Sequence, residues 1–405
     1  MPAQTCVLAY SGGLDTSALI PYLKENEGVD VIAALVDVGR AKNLEATRQR
    51  ALDAGAVDAV VIDAKEEFCR EFVLPALAAN ALYEEKYPLV SALSRPLISK
   101  KMVELAHQRG AAMIAHGCTA KGNDQVRFDV SIRCLDPAIT VLGPAREWNM
   151  TRPEIMDYAT ARGISVPLTK KNPFSIDENL WGRTIECGEL EDPWETPPEE
   201  AYTVTVHPAA APDEAEEVVV SFAGGVPIAL DGMALDAVSL IDTIDALGGK
   251  HGFGRIDMME NRLVGIKSRE IYETPGALAL VKAHREVEDL VLPRDLLHYK
   301  RGVEQRIADM IYDGQWFSPL ADALRAFVTE TQKRVTGDVR LSFYKGSCTV
   351  LGRRSPHSMY VEALATYGAG DTFSHASAAG FIRLWGLPLE VWARRGESAQ
   401  QAAEK

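Results

Sequence analysis

The chain has 405 residues and a formal net charge of −14, with 47% hydrophobic and 25% charged residues. That length supports two or three domains around a sizeable core, and the acidic balance argues against non-specific binding of nucleic acid. The six cysteines (Cys6, Cys69, Cys118, Cys134, Cys187 and Cys348) form no C-x-x-C pair, so neither a zinc site nor a disulfide framework is expected.

In chain order, the first segments alternate between strand and helix. Cys6–Ala9 is a short apolar run that predicts a buried strand, and Ala18–Lys24 suits a helix. Asp30–Val36 predicts a strand. Asn43–Ala54 predicts a helix that starts at Asn43 and stops before Gly55. Ala59–Ile62 is a further strand. Lys65–Asn80 and Ser94–Arg109 are helices, the second stopped by Gly110. Ala111–Ala115 and Ala138–Leu142 predict strands. Thr151–Arg162 opens with Thr-Arg-Pro-Glu and stops at Gly163, a well-punctuated helix. This alternation predicts an α/β fold, with an N-terminal parallel, doubly wound sheet over residues 1–166.

The stretch Pro167–Pro198 is irregular and marks a domain junction. Beyond it the pattern changes. Tyr202–Val206 and Glu217–Phe222 alternate as strands do, and Ala237–Leu247 is helical up to Gly248-Gly249. Gly254–Lys267 reads as a loop and Ala277–Leu292 as a helix. Val339–Tyr344 and Cys348–Leu351 flank Lys345-Gly346 as a hairpin. A second, α+β domain is therefore expected over 167–370, with a C-terminal helical arm over 371–405. The arm has an amphipathic stretch, Ser377–Leu384, and the apolar residues Ile382, Trp385 and Trp392. Its apolar side packs on its own core or on another subunit. Met-Pro-Ala-Gln at the start has no basic region, and no apolar run approaches a membrane span, so a cytoplasmic protein without membrane contact is expected.

The stretch that organises the first half is Ala9-Tyr-Ser-Gly-Gly-Leu-Asp-Thr-Ser17, between the first strand and the first helix. Gly12 and Gly13 have no Cβ, so an anion can come close to the backbone. The following helix offers unpaired N–H groups and its positive end. Ser11, Thr16 and Ser17 add hydroxyls, and together these make a phosphate cradle. Asp15 would repel phosphate without a divalent cation between them, which points to Mg²⁺. A bare Ser-Gly-Gly is more often an ordinary capping turn; the full nine residues between strand and helix reverse that. Neither G-x-x-x-x-G-K-[ST] nor G-x-G-x-x-G is present there.

A second polar stretch, His116–Phe128, follows the Ala111–Ala115 strand at the end of the sheet where ligands gather. Its mixture of donors with one carboxylate, Asp124, suits an amino-acid substrate. Asn172–Arg183 and Gly254–Gly276 also mix charge, amide and aromatic residues outside clear periodicity. Tyr83–Arg95 adds Tyr87, Ser91, Ser94 and Arg95, and Arg95 faces either an anion or solvent.

The nine-residue loop resembles the pyrophosphate loop of ATP pyrophosphatases. With H-G-x-x-x-K-G-N-D-Q-V-R-F, D-E-N-L-W-G-R and G-R-I-D-x-x-E-N-R-L-V-G-I-K-S-R-x-x-Y-E-x-P-G following in order, the chain resembles the argininosuccinate synthases over nearly its whole length. The resemblance implies an adenine nucleotide alpha hydrolase-like first domain and a synthetase second domain. It implies ligation of citrulline and aspartate with ATP as substrate and Mg²⁺, release of AMP and pyrophosphate, and a homotetramer. Carried over residue by residue, Ala9, Tyr10, Ser11, Gly12, Gly13, Leu14, Asp15, Thr16, Ser17, Val36 and Gly117 meet ATP. Thr119, Asn123 and Asp124 hold aspartate. Tyr87, Asn123, Arg127, Ser175, Thr184, Glu260 and Tyr272 hold citrulline. Asp15 and Asp124 are the candidate catalytic residues, with Mg²⁺ arriving on ATP rather than in a dedicated protein site.

The chain departs from the family pattern at three places. Ala92 stands where a second citrulline serine is common, Thr184 replaces serine, and Arg40-Ala41 replaces an expected Gln or Glu and small or acidic residue. The last puts local nucleotide contacts in question. Competing readings are an RNA thiolase or amidating synthetase with the same loop, and a nucleotide-binding regulator that has lost catalysis. The acidic charge weighs against the first pair, and the intact polar residues of all four segments weigh against the regulator.

Overall fold

The computed structural model describes residues 4–146, 148, 150–164 and 174–403. The expected domain boundary at 166/167 lies outside these. Strands β1 (Gln4–Ala9), β2 (Val29–Asp37), β3 (Asp58–Asp63), β4 (Met113–Ala115) and β5 (Thr140–Leu142) form a parallel sheet in the order β3-β2-β1-β4-β5. β1 shows why its stretch Cys6–Ala9 is apolar throughout. Cys6 and Leu8 pack with Leu19, Ile20 and Leu23 of the helix Leu14–Asn26 on one face. Val7 packs with Met102, Ala106, Phe128 and Ile132 on the other. A strand buried on both faces shows no alternation. The order reverses between β1 and β4, so the loops after these two strands meet at the topological switch point.

Two elements of this half differ from expectation. The helix Asp124–Leu135 begins inside the stretch read as a polar loop. Its cavity-facing first turn is polar, and Phe128, Ile132 and the partly buried Leu135 mark the face on the sheet. Lys65–Asn80 is not one regular helix: α-helical Lys65–Phe68 and Leu74–Ala78 flank a π-helical Cys69–Val73. Pro75 lies just past the widened turn and has no N–H to return to it. The Thr151 start was legible: Thr151 and Glu154 form a capping box before Arg152–Ala161.

The second half adds β6 (Ser175–Asn179), β7 (Gly182–Glu186), β8 (Glu216–Ala223), β9 (Val226–Leu230), β10 (Met233–Ala234), β11 (Arg255–Asn261), β12 (Lys267–Glu273), β13 (Gly337–Tyr344) and β14 (Ser347–Arg354). They form two antiparallel sheets, β11-β12-β7-β6 and β10-β9-β8-β13-β14. The hairpin read around Lys345-Gly346 is β13–β14, with both turn residues at positive φ (+40° and +84°). The stretch read as a loop, Gly254–Lys267, instead supplies β11 and the turn into β12. Ile256, Met258 and Glu260 alternate inward, and the carboxylate at the third inward position hid the pattern. The helix Ala237–Lys250 continues through Gly248-Gly249. A Cβ on Gly248 would lie 2.7 Å from Pro275 Cβ, and one on Gly249 2.5 Å from the Val204 carbonyl. These glycines permit close packing rather than stopping the helix. Helices Arg294–Tyr312 and Pro319–Thr331 complete the half and were not anticipated.

Tyr202–Val206 is not a strand. Glu273, fully buried at the end of β12, accepts from the amides of Thr203 (3.1 Å), Val204 (2.9 Å) and Thr205 (2.8 Å), and from the Thr205 hydroxyl (2.8 Å). Arg183 neutralises it at 2.7 Å. A carboxylate thus replaces the ladder that the alternation predicted. Glu273→Gln puts donors where acceptors are needed and leaves Arg183 buried without its partner. We expect a loss of roughly 3 kcal/mol or more, read as a lowered urea midpoint at unchanged slope.

Residues Met1–His357 form one compact unit and Ser358–Lys405 a second. The second carries the helix His375–Ala403, on which Phe381, Ile382, Leu384, Trp385, Leu389 and Trp392 are exposed. No helix among the described residues is long and apolar enough to cross a membrane.

Candidate active site

One cavity of about 580 Å³ opens at the switch point and runs to β6, β7, β11 and β12. Every site residue expected from the sequence lines it except Gly12 and Ser17. At one end lies the 9–17 loop. Gly12 has φ +78°, and a Cβ there would lie 2.4 Å from Thr47 Cγ2. Arg50 donates to the Gly12 carbonyl at 2.8 Å, which fixes the loop and adds a positive charge behind it. The first main-chain bond of the following helix runs from the Ser17 amide to the Gly13 carbonyl, so the first-turn amides ahead of it are turned towards the loop. The Ser11 and Thr16 hydroxyls pair at 3.1 Å on the cavity side. Ser17 is buried instead, its hydroxyl 2.9 Å from that of Tyr10, so it braces the loop from behind. Gly117 crosses close over this helix start: a Cβ there would lie 3.1 Å from Thr16 Cγ2.

Val36, Gly39, Ala41 and Lys42 line the neighbouring wall. Arg40 does not. Its guanidinium ion-pairs with Asp245, away from the cavity. The departure at residue 40 therefore leaves the cavity wall to its neighbours.

At the other end the charges are arranged in pairs. Asp124 accepts from Arg95 Nε at 2.9 Å and from Arg127 at 2.8 Å, and Arg95 reaches on to Asp177 at 2.7 Å. Burial opposes the charge of Asp124, but Arg95 and Arg127 outweigh it and hold the carboxyl down at about 2. Arg95 thus faces carboxylates, and Asp177 was not singled out from the sequence. Thr119 lies on the same wall. Asn123 donates to the Tyr312 hydroxyl at 2.7 Å and accepts the Leu263 amide at 2.9 Å.

Glu260 is buried, and the hydroxyls of both Tyr272 and Tyr312 donate to it. Burial pushes its carboxyl up, while the two tyrosine hydroxyls pull it back. The Tyr87 ring stacks on Tyr272 with centroids 4.1 Å apart. The Ser91 and Thr184 hydroxyls meet at 3.0 Å, so the threonine keeps its hydrogen bond; Ala92 is fully buried. Ser175 closes this wall. Sequence reasoning missed Tyr312, at the end of an unpredicted helix, and the cluster Glu186–Arg262–Glu270. Arg262 bridges the two carboxylates at 2.6 Å each. Burial, then the charges of Glu186 and Glu260, push the Glu270 carboxyl up to about 7.

The arrangement can cradle a polyphosphate at one end and grip carboxylate and ammonium groups at the other. Family comparison matches the chain in two parts. Residues 5–165 match the arginosuccinate synthase N-terminal HUP domain, and residues 174–392 match the arginosuccinate synthase C-terminal domain. An argininosuccinate synthase of Halalkalibacterium halodurans is 55% identical over 405 residues, 100% of this chain and 99% of its own. Those of Geobacillus kaustophilus and Thermosynechococcus vestitus are 57% identical over 385 residues and 55% over 394; they cover 95% and 97% of this chain, and 95% and 98% of their own lengths. Matched in both halves and along its full length, the chain belongs to the argininosuccinate synthase family.

Proposed function

We propose that the chain ligates L-citrulline and L-aspartate to 2-(Nω-L-arginino)succinate, with ATP cleaved to AMP and pyrophosphate. The observation that carries this is the single cavity in which a phosphate cradle and two sets of amino-acid-binding groups face one another. The ureido oxygen of citrulline attacks the α-phosphorus, and pyrophosphate leaves into the 9–17 cradle. The aspartate amine, as the free base, then attacks the ureido carbon; the carbon–oxygen bond breaks and AMP leaves with that oxygen. The protein's part is to hold the reactants in line, which supplies roughly 7–11 kcal/mol of the barrier, and to stabilise developing charge.

Thr119, Asn123 and Asp124 would hold aspartate, and Tyr87, Asn123, Arg127, Ser175, Thr184, Glu260 and Tyr272 citrulline. Glu260 suits an ammonium and Arg127 a carboxylate. Asp124 is engaged by two guanidinium groups and held near 2, which suits orienting an amine better than accepting its proton. Oxygen donors at Ser11, Asp15 and Thr16 fit a hard cation, so Mg²⁺ entering with ATP would be accommodated there and would neutralise phosphate charge. We place the enzyme in arginine synthesis, in the cytoplasm, as a homotetramer, with the apolar helix His375–Ala403 as a subunit contact.

The test is pyrophosphate release by the purified chain with Mg-ATP, citrulline and aspartate, omitting each in turn. Release is expected only with both amino acids, with argininosuccinate seen by mass. Release with neither, or none in any mixture, would refute the proposal.

A further inference from the structure

We propose that Arg40 is a positioning residue that anchors the strap 37–42 along the nucleotide wall by pairing with Asp245 of the second half. This rests on the reading that ATP lies against Val36 and that strap.

Arg40 sits at φ +62°, a left-handed conformation that a non-glycine residue adopts only when something holds it. Its side chain leaves the cavity that Gly39, Ala41 and Lys42 line and ion-pairs with Asp245 on the helix Ala237–Lys250. Asp245 is 4% exposed, and its other oxygen accepts the Gly276 amide at 2.9 Å, at the start of the helix Pro275–Val291. Both carboxylate oxygens are therefore used, and Arg40 supplies the counter-charge. The same guanidinium also lies near enough to Asp242, on the same helix, to favour its charge.

The strap has a second fastening on its other side. The Leu180 amide donates to the Val38 carbonyl at 3.0 Å, and a Cβ on Gly39 would lie 2.8 Å from the Leu180 nitrogen. The Gly39 amide donates to Asp37 at 2.9 Å, and Lys65 holds Asp37 at 3.0 Å. The strap is thus pinned at Leu180 and at Asp245. Removing Arg40 frees one end, lets the backbone leave the left-handed region, and leaves a buried carboxylate without its cation.

The experiment is steady-state pyrophosphate release by the full chain with each substrate varied in turn. It compares wild type with Arg40→Ala, Arg40→Lys, Asp245→Asn and Gly39→Ala, with a thermal midpoint for each. Arg40→Ala and Asp245→Asn are each expected to raise the KM for ATP about tenfold, with citrulline and aspartate KM changed less than about twofold. Arg40→Lys keeps the charge and should recover part of the effect. The double variant Arg40→Ala/Asp245→Asn should be no worse than Arg40→Ala, because the two act through one contact. A lowered thermal midpoint with unchanged ATP KM, or an equal rise in all three KM values, overturns the proposal. Should Arg40→Ala fail to fold, Arg40→Lys and Asp245→Asn decide by the same split. Gly39→Ala separates the two levels. If it raises ATP KM while the Arg40 variants do not, only the anchor is wrong. If none of them affects ATP KM, the nucleotide does not lie on the strap.

Discussion

Asp124→Asn is expected to lower kcat/KM for aspartate by roughly 100-fold while ATP binding survives. The Asp124 carboxylate lies between Arg95 and Arg127, with an oxygen on each. An asparagine keeps the shape but offers an NH₂ to one guanidinium, so that pair is broken and the two cations repel. The loss falls on aspartate because the 9–17 loop is built from a different strand–helix junction, between β1 and the helix Leu14–Asn26. Burial alone would raise this carboxyl, yet the arginines hold it at about 2 against the usual 3.8. A depressed carboxyl stabilises the fold fully above the unfolded value, and that contribution disappears as the pH falls from about 4 through about 2. The variant should therefore lose stability relative to wild type at pH 7, and the gap should close in acid. Equilibrium ATP binding, aspartate-dependent kinetics and denaturation at pH 7 and pH 2.5 check all three parts. Unchanged aspartate kinetics would remove Asp124 from the aspartate site.

Glu260→Gln is expected to raise the KM for citrulline roughly 10- to 100-fold, the cost of losing one charged hydrogen bond to an ammonium. Its effect on stability has the opposite character to that of Asp124→Asn. Burial pushes the Glu260 carboxyl above its usual 4.5, with the tyrosine hydroxyls only partly offsetting it. The folded state therefore favours the protonated form, and the stability this group contributes is lost as the pH rises through the raised value. Glutamine removes that dependence, so the variant should fold at neutral pH while binding citrulline poorly. Titration calorimetry with citrulline, beside melting curves at pH 5 and pH 8, tests this. A variant that unfolds at pH 8 but binds citrulline normally at pH 5 would make Glu260 a structural residue.

How far the sequence could be read depended on what each residue packs against. The parallel sheet was legible because most of its strands carry unbroken apolar runs and its turns are punctuated by glycine and capping residues. The β11–β12 hairpin was not, because Glu260 occupies an inward position that an apolar residue would otherwise mark. The Tyr202–Val206 stretch failed in the other direction: it alternates like a strand, but Glu273 takes up its amides. Gly248-Gly249 looked like a stop signal and serves close helix packing. Arg40 stood as a departure that put the local nucleotide contacts in question, and its side chain turns to Asp245.

The chain's local chemistry was sufficient for the α/β character of the first half and the family, since these depend on short runs of residue types in order. Folding was needed to bring Asp124 and Asp177 together onto Arg95, to bring Tyr312 onto Glu260 across 52 residues, and to join Glu186 with Glu270 through Arg262. Those contacts join segments far apart in the chain. Their energies come from burial and charge pairing, and neither exists until those segments pack together.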